Sequence, residues 1–448
     1  MGIEQIHHGN FSRRSLLKSF GAAGLLAGLP TGLTGAAFAK ELEKFPKLRA
    51  LIDGYVNDKK VSGMIAAIGF GDKPVQGIAA GTIALDSQKP VDLNTLWRAY
   101  SQTKPMTGMA IMMLIEDGRL TLDTPLSDIL PEFANQRRLI DPTGDSLDSV
   151  PVKTPITMRH LLTHTAGLGY SIISKGAILK EYMRLGITPG QVSKKPIPGF
   201  SGGAPVPEIS EFSKRLATLP LVYEPGTTWS YSISIDLLGY VVQVVSGMPL
   251  ETFLQNRMFG PLGMKNSFFQ VPADRLSDLS TNYAVFAGSL IPIDPANDSV
   301  YSEKPAFAYG GAGLVCSAYD YDRFLAMLVG FGTLDGVQVM KTETAKLGMS
   351  NILPETVDSS HAWLANGGFG AGGRVGLGAK GGAPAGTYGW GGAAGTAGFV
   401  DTARGIRAGG YTQYMPSNAY KFQQAFPGYV YEDLLGMAGT ATAEKTSA

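Results

Sequence analysis

Short apolar runs bounded by turn residues lie near both ends of the chain. Near the start, the apolar residues 61–70 are followed by a Gly-Asp-Lys turn and by a second apolar run at 75–84. Near the end, the runs at 396–400 and 406–411 are separated by Asp-Thr-Ala-Arg-Gly. Such pairs of short runs predict two β-hairpins, one from each end of the chain.

Longer runs of helix-forming residues lie between the two hairpins. The predicted helices cover residues 106–116, 235–245, 249–259 and 319–329, with a shorter one within 155–168. Strands at both ends with helices between them predict an α+β fold. We expect one antiparallel sheet formed by both termini and flanked by helices, with a mostly helical lobe inserted at about residues 101–300.

Composition narrows the possible partners. Of the 448 residues, 44% are hydrophobic and 17% are charged, which is typical of a folded globular protein. The 38 Lys and Arg residues nearly balance the 37 Asp and Glu residues, and a net charge of +1 argues against a nucleic-acid partner. The single cysteine, Cys316, permits no internal disulfide, and its apolar neighbours predict a buried side chain rather than a nucleophile.

The first 39 residues have the features of an export signal. The segment SRRSLLK at 12–18 resembles the twin-arginine motif, an apolar stretch follows, and AFA at 37–39 offers small residues for cleavage. The apolar stretch is short and contains Pro30, which disfavours an uncleaved membrane anchor. We therefore expect export by the twin-arginine machinery, cleavage near Ala39, a periplasmic or secreted domain at 40–448, and no stable membrane insertion afterwards.

A serine three residues before a lysine, Ser101 and Lys104, lies where the first predicted helix begins. That spacing places the hydroxyl and the amine one turn apart on one face of a helix. A desolvated lysine can take the proton of the serine and leave a nucleophile. The same spacing recurs at Ser15 and Lys18 within the export signal, so the pattern needs support from other residues.

Two further segments could supply that support. Tyr231 precedes the predicted helix at 235–245, and a phenol beside an ammonium group can serve as a general base. The segment YGWGGA at 388–393 reads as a strand whose glycines let a ligand approach the backbone, as an oxyanion site requires. From the residues alone, two alternatives remain open. The tyrosine could simply pack in the core, and the segment could be an edge strand that its glycines destabilise.

Three motifs follow one another along the chain: Ser-x-x-Lys, Tyr-Ser-x and Trp-Gly-Gly. In this order they resemble the motifs of serine hydrolases related to class C β-lactamases and penicillin-binding proteins, closest to family VIII carboxylesterases. The resemblance covers about residues 45–415. Its supporting stretches are RAYSQTKP at 98–105, LLTHTAGL at 161–168, PLGM at 261–264 and GGAGL at 310–314. It implies a β-lactamase/transpeptidase-like fold and hydrolysis of carboxylic esters through an acyl-enzyme, without a metal or an organic cofactor.

The resemblance also implies a role for each matching residue. Ser101 corresponds to the nucleophile, and Lys104 and Tyr231 share the general-base role. The backbone N–H groups of Ser101 and Ala393 correspond to the oxyanion hole. The strand residues that would contact the substrate beside Ala393 are Trp390, Gly391 and Gly392.

Two positions depart from the β-lactamases of this superfamily. Those enzymes carry an asparagine where this chain has Ile233, and a lysine where it has Trp390. The asparagine hydrogen-bonds an amide side chain and the lysine helps to hold the β-lactam carboxylate, and neither replacement can do the same. The expected substrate is therefore a small-molecule ester, neutral and less polar than a β-lactam or a peptide.

Other functions remain open at this stage. The same scaffold could support a β-lactamase, a D-amino-acid peptidase, an amide hydrolase, or an acyltransferase that uses an alcohol in place of water. A catalytically inactive binding protein is the alternative from another class. The segment 171–210, which is rich in Gly, Pro and Lys, is expected to be a lid, a substrate wall or a disordered loop, and together with about 280–310 to set substrate preference.

Two other motifs point to different chemistry. GFSGG at 199–203 matches the G-x-S-x-G nucleophile motif, but Ser201 lies in a Pro/Gly-rich loop rather than between a strand and a helix. His160 and His164 are spaced for one helix face and could bind a metal, yet no acidic residue completes a metalloprotease pattern. We therefore expect neither a nucleophile at Ser201 nor a metal site.

Overall fold

The computed structural model describes residues 45–445 apart from 198–199, 359 and 361–362. The strands are β1 Gly63–Phe70, β2 Gln76–Gly81, β3 Leu96–Arg98, β4 Arg137–Leu139, β5 Ser149–Pro151, β6 Ser267–Phe268, β7 Asn282–Phe286, β8 Ser289–Asp294, β9 Val315–Ser317, β10 Thr333–Leu334, β11 Val337–Gln338, β12 Gly368–Phe369, β13 Arg374–Val375, β14 Thr387–Gly391, β15 Ala397–Asp401, β16 Ile406–Tyr411 and β17 Tyr414–Met415.

The α-helices are α1 Pro46–Asn57, α2 Thr103–Glu116, α3 Met158–Leu162, α4 Gly176–Arg184, α5 Ile209–Ala217, α6 Ser234–Ser246, α7 Leu250–Leu254, α8 Gly260–Leu262, α9 Ala318–Val329, α10 Thr342–Gly348 and α11 Phe422–Lys445. A π-helical turn, Gln255–Phe259, joins α7 to α8. Short 3₁₀ turns cover Tyr100–Gln102, Leu126–Asp128, Pro131–Phe133, Ala273–Asp278, Ala296–Asp298, Val300–Ser302 and Ser417–Ala419.

The main sheet joins the two ends of the chain. Within the described residues it has seven strands in the order β12-β13-β14-β15-β16-β1-β2, and every neighbouring pair is antiparallel. β1 pairs with β16 from Ile65 opposite Tyr411 to Phe70 opposite Ile406. Both hairpins predicted from the sequence are confirmed, as β1-β2 and β15-β16. The predicted α+β class, with a sheet built from both termini, is confirmed as well.

Strand β1 is buried along its whole length. Helix α9 covers one face of the sheet, and α1 and α11 cover the other. Ile65 and Ala67 therefore pack into the larger core, whereas Met64, Ala66 and Ile68 pack beneath the two terminal helices. Because side chains alternate along a strand, one apolar run supplies two separate cores. Each large apolar side chain buried here contributes roughly 1.5–3 kcal/mol.

Helix α2 lies at the centre of the molecule. Its residues from Thr103 to Leu114 are all buried, because the helix is enclosed on every side. Helices α6 and α10 pack against it, and β14 approaches its first turn. The start of α2, where the sequence places Ser101, therefore lies between the main sheet and the helices.

Two segments differ from the sequence prediction. The run predicted as one helix over 249–259 is α7 followed by the π-helical turn. The segment 171–210 contains α4 and the start of α5. Glycine and proline around α4 concealed it in the composition, although its buried residues Ile178 and Tyr182 have helical spacing.

No single helix within the described residues is both long and apolar enough to cross a membrane. Helix α6 and the segment Leu250–Leu262 meet those criteria only together, as a pair bent by 75°. The predicted export signal at 1–39, the cleavage site at Ala39 and the pair Ser15 and Lys18 lie outside the described residues.

Candidate active site

The backbone turns sharply just before Ser101. Tyr100 has a φ of +44°, a left-handed value that costs a non-glycine residue roughly 1–3 kcal/mol. Two contacts hold this conformation: Thr103 Oγ1 donates to the Tyr100 carbonyl at 2.6 Å, and Asn282 Nδ2 donates to the Tyr100 hydroxyl at 3.0 Å. The turn presents Ser101, partly exposed, at the N-terminal end of α2.

Ser101, Lys104 and Tyr231 meet in one cluster. Tyr231 Oη donates to Ser101 Oγ at 2.7 Å, and Lys104 Nζ donates to the same oxygen at 3.2 Å. Lys104 comes from the first turn of α2, and Tyr231 comes from the loop that leads into α6. These distances allow a proton to pass from the serine hydroxyl to the amine or the phenol. The structure thus brings together three residues that the sequence singled out.

Lys104 is fully buried, and the groups in hydrogen-bond contact with it are neutral. Its Nζ donates to the Gly311 carbonyl oxygen at 2.8 Å and lies 3.5 Å from the Tyr170 hydroxyl. It also lies 4.8 Å from the centre of the Tyr231 ring. Within the described residues, Lys104 forms no ion pair with a carboxylate. Carbonyl, hydroxyl and aromatic groups therefore contact this side chain directly, in place of a carboxylate.

A buried carboxylate lies behind Lys104, separated from it by Gly311. Asp236 Oδ1 accepts from the Gly311 N–H at 2.9 Å, and Asp236 Oδ2 has no hydrogen-bond partner among the described residues. Burial raises the pKa of Asp236 to about 6, and the nearby Lys104 opposes that rise. Gly311 therefore bridges the two groups through its N–H and its carbonyl. A Cβ at this position would overlap the Asp236 carboxylate, so the bridge requires glycine.

The sequence analysis did not identify Tyr170 or Asp236. Burial raises the pKa of Tyr170 well above its ordinary value, and Tyr231 and Asp236 add to the rise, so this phenol keeps its proton. Its ring meets the Tyr231 ring edge-on, with 5.2 Å between centres. Neither residue has a local signal, because Tyr170 is one of 18 tyrosines and Asp236 is an ordinary acidic residue in the first turn of a helix.

The end of β14 approaches Ser101 from the sheet. The predicted substrate-binding residues divide between the strand, which ends with Trp390 and Gly391, and the following turn, which holds Gly392 and Ala393. The Gly392 N–H donates to the Thr396 carbonyl at 2.8 Å, and a Cβ on Gly392 would overlap the Ala99 carbonyl. Within the described residues the Ala393 N–H makes no such bond. Of these two turn N–H groups, that of Ala393 is therefore available to a substrate oxygen.

Aromatic rings surround Tyr231. Trp390 Nε1 donates to the Tyr231 hydroxyl at 3.3 Å, and the two ring centres are 5.6 Å apart. The His164 ring meets the phenol edge-on at 4.9 Å, while Trp229 and Trp363 stack nearly parallel to it at 6.3 and 5.4 Å. The phenol is consequently buried, and its hydroxyl is fixed towards the serine by the indole donor on its other side.

Comparison with known proteins identifies the family of this chain. The profile of the family described as Beta-lactamase matches residues 48–426. The chain belongs to the β-lactamase family. The resemblance inferred from the Ser-x-x-Lys, Tyr-Ser-x and Trp-Gly-Gly motifs is confirmed at the level of the superfamily and its fold.

Relatives of this β-lactamase-family chain include esterases. An uncharacterised protein of Mycobacterium tuberculosis is 33% identical over 287 residues, covering 64% of this chain and 67% of that one. Esterase EstB of Burkholderia gladioli is 30% identical over 292 residues, covering 62% and 68%. A solved structure of EstCE1, described as a hydrolase with promiscuous acyltransferase activity, matches with a TM-score of 0.68 at 26% identity, covering 88% of this chain and 99% of that one. The chain thus has a serine-esterase scaffold with acyltransferase relatives.

Two side chains that bear on the chemistry are withdrawn into the core. Ile233, which stands where related β-lactamases carry asparagine, is fully buried, and its N–H donates to the Gly169 carbonyl at 3.1 Å. Cys316 on β9 is fully buried, as predicted, and burial raises the pKa of its thiol well above the usual value. Neither side chain is placed to contact a substrate.

The remaining polar motifs of this β-lactamase-family chain have structural contacts. Ser201 Oγ accepts from a backbone N–H of its own loop at 3.1 Å. Thr157 caps α3 by accepting from the His160 N–H, and the Thr157 N–H donates in turn to His160 Nδ1. Burial lowers the pKa of His160 to about 4. His164 Nδ1 lies 2.9 Å from Ser232 Oγ, and burial lowers its pKa well below the usual value. The described residues contain no cluster of three side chains that could bind a metal.

Proposed function

We propose that this protein hydrolyses carboxylic esters through an acyl-enzyme formed on Ser101. The observation that carries the proposal is the contact of Ser101 Oγ with both Tyr231 Oη, at 2.7 Å, and Lys104 Nζ, at 3.2 Å. The esterase relatives support an ester as the substrate. The indole of Trp390 and the buried side chain of Ile233 favour a small neutral ester over an anionic β-lactam.

In this mechanism Ser101 Oγ attacks the ester carbonyl carbon while its proton passes to Lys104 or Tyr231. The backbone N–H groups of Ser101 and Ala393 hold the negative oxygen of the tetrahedral intermediate. The bond to the alcohol oxygen then breaks, and Tyr231 gives that oxygen a proton. Water attacks the acyl-enzyme by the same route, which releases the acid and restores the Ser101 hydroxyl. The mechanism requires neither a metal nor an organic cofactor.

Acyl transfer is the second candidate function. An alcohol that replaces water in the last step would accept the acyl group from Ser101, and the similarity to EstCE1 supports this possibility. Hydrolysis of a β-lactam, a D-amino-acid peptide or another amide would use the same residues with a different leaving group. Product analysis in the presence of added alcohols distinguishes transfer from hydrolysis.

Replacing the serine tests the proposal directly. We expect Ser101→Ala to reduce hydrolysis of p-nitrophenyl acetate and butyrate to the uncatalysed rate, while Ser201→Ala keeps the activity of the wild type. Nitrocefin is assayed beside the esters. Activity that survives in Ser101→Ala and disappears in Ser201→Ala would overturn the assignment of Ser101 as the nucleophile. A preference for nitrocefin would contradict an ester as the preferred substrate.

We also propose that the twin-arginine machinery exports the protein to the periplasm or the medium. The SRRSLLK segment supports this, and a single cysteine suits a protein that folds in the cytoplasm before export. After expression with its complete N-terminus, intact-mass analysis should find the protein in the periplasm or medium, beginning near residue 40. Full-length protein confined to the cytoplasm would contradict the proposal.

A further inference from the structure

Three of the four tryptophans of the chain surround Tyr231. Trp363 stacks on the Tyr231 ring at 5.4 Å with 19° between the planes, and lies 6.4 Å from Trp390 with 26° between the planes. Trp363 is 41% exposed, whereas Tyr231 is 5% exposed and Trp229 is 2% exposed. Aromatic rings therefore continue from Tyr231 towards the protein surface, and Trp363 is the most exposed of the three rings Tyr231, Trp229 and Trp363.

The position of Tyr231 shows which part of an ester lies along these planes. In the proposed mechanism Tyr231 gives its proton to the alcohol oxygen, so that oxygen must come within hydrogen-bond distance of Tyr231 Oη. The carbonyl oxygen lies instead at the N–H groups of Ser101 and Ala393. Trp390 contacts Tyr231 Oη through its indole N–H, and Trp363 covers the same phenol. The alcohol part of the ester consequently lies beside the two indoles.

We propose that Trp363 stacks against the alcohol part of the substrate and that the preferred substrates are esters of alcohols that carry a planar aromatic ring. The inference rests on the proposed esterase function. A half-exposed indole attracts a flat π-system more strongly than an aliphatic ring of equal size, because offset stacking adds to apolar burial. The added stacking corresponds to a preference of about three- to tenfold.

The test uses two pairs of esters with matched reactivity. Benzyl butyrate and cyclohexylmethyl butyrate differ only in the ring of the alcohol, and the two alcohols have similar acidity. Ethyl phenylacetate and ethyl cyclohexylacetate carry the same two rings on the acyl side. We expect the wild type to have a higher kcat/KM for the benzyl ester than for its cyclohexylmethyl partner, and no comparable preference within the acyl pair.

Variants at Trp363 separate substrate stacking from simple covering of Tyr231. Trp363→Leu keeps an apolar cover without a π-face, and we expect it to lower the benzyl preference three- to tenfold while kcat/KM for the cyclohexylmethyl ester stays within twofold. Trp363→Phe should restore most of the preference. Phe286→Ala removes another exposed aromatic, 67% exposed at the end of β7, and should change neither ester.

The outcomes distinguish this inference from the proposed function. If the esters are hydrolysed in a Ser101-dependent manner but Trp363→Leu keeps the wild-type preference, the stacking inference is wrong and the esterase function stands. Equal losses on both esters of the alcohol pair would assign Trp363 a structural role and overturn the inference. A change confined to the acyl pair would show that Trp363 contacts the acyl part of the ester, and would overturn the inference. If none of the four esters is hydrolysed, both proposals fail.

Discussion

Two buried cations that are close in sequence, Arg98 on β3 and Lys104 on α2, have very different partners. Both side chains are fully buried. Arg98 Nε donates to Asp294 Oδ2 at 2.6 Å, and its other nitrogens reach the Asp294 carbonyl, the Ser280 carbonyl, Gln413 Oε1 and Ser299 Oγ. The guanidinium is therefore neutralised and saturated with acceptors. It ties β3 to the end of β8 and to the residues that follow β16.

Lys104 has the same burial without a carboxylate in contact. Its partners are the Ser101 hydroxyl, the Gly311 carbonyl and the Tyr170 phenol, and the Asp236 carboxylate lies one residue further away behind Gly311. Arg98 and Lys104 therefore have equal burial but different partners. The difference lies in the partners: a carboxylate pairs with Arg98, whereas neutral oxygens contact Lys104.

Replacing Lys104 should have the largest effect, and that effect should be on catalysis rather than on stability. We expect Lys104→Met to lower kcat for p-nitrophenyl butyrate roughly 10³–10⁴-fold, about 4–5.5 kcal/mol of barrier, because the general base is lost. The free energy of unfolding in urea should stay within about 1 kcal/mol of the wild type or rise, since Lys104 forms no direct ion pair and the Asp236 carboxyl behind Gly311 can take up a proton in the variant. A fall of 3 kcal/mol or more would show that Lys104 is as structural as Arg98.

Arg98→Met should have the opposite profile. It leaves Asp294 buried without its partner, so we expect a loss of about 3–5 kcal/mol in the free energy of unfolding, measured by urea denaturation. The kcat of the fraction that remains folded should stay within about threefold of the wild type. The double variant Arg98→Met with Asp294→Leu is the control, and should recover most of the lost stability. No recovery would contradict the importance of the ion pair.

Asp236→Asn tests the charge behind Lys104 through its pH dependence. The folded pKa is about 6 against an ordinary value of 3.8, so ionising this group disfavours the folded state. The wild type should lose roughly 3 kcal/mol of stability from this group as the pH rises from about 4 to above 6, and the variant should not. The difference in unfolding free energy between variant and wild type should therefore shift by about 3 kcal/mol towards the variant over that range.

The pH dependence of His160 does not disturb that measurement. Its folded pKa of about 4 lies below the ordinary 6.5, so its contribution to stability is present above pH 6.5 and is lost as the pH falls towards 4. Because this histidine is common to both proteins, its effect cancels in the difference between them. A difference that does not change with pH would show that the Asp236 carboxyl has an ordinary pKa in the folded protein.

The sequence predicted most of the fold because the strongest signals are local. The apolar run of β1 and the runs of β15 and β16 have turn residues at their ends, and helices α2, α6 and α9 have clear limits. The π-helical turn Gln255–Phe259 was not predicted, because its residues are ordinary helix formers and only packing changes their hydrogen bonding. Helix α4 was concealed by neighbouring glycine and proline.

The candidate site was predictable to the extent that helix spacing or family motifs describe it. Ser101 and Lys104 could be found because one helical turn separates them, and Tyr231 was selected by resemblance rather than by any pattern of its own. Tyr170 and Asp236 reach Lys104 only through tertiary contacts, Asp236 by way of Gly311. The catalytic roles of Ser101, Lys104 and Tyr231 remain predictions.

The pairing of β1 with β16 has a consequence for the order in which the site can form. Ribosomes make Ser101 early, but the turn that holds Gly392 and Ala393 is made late, and the pairing of Ile65 with Tyr411 requires nearly the whole sheet to have been synthesised. Contacts between residues so distant in sequence form slowly, because a long loop must close first. A nascent chain that ends before β16 therefore carries the serine without its completed sheet. Under the proposed mechanism, ester hydrolysis would begin only when synthesis has passed the last strands, and a half-made chain would be inactive.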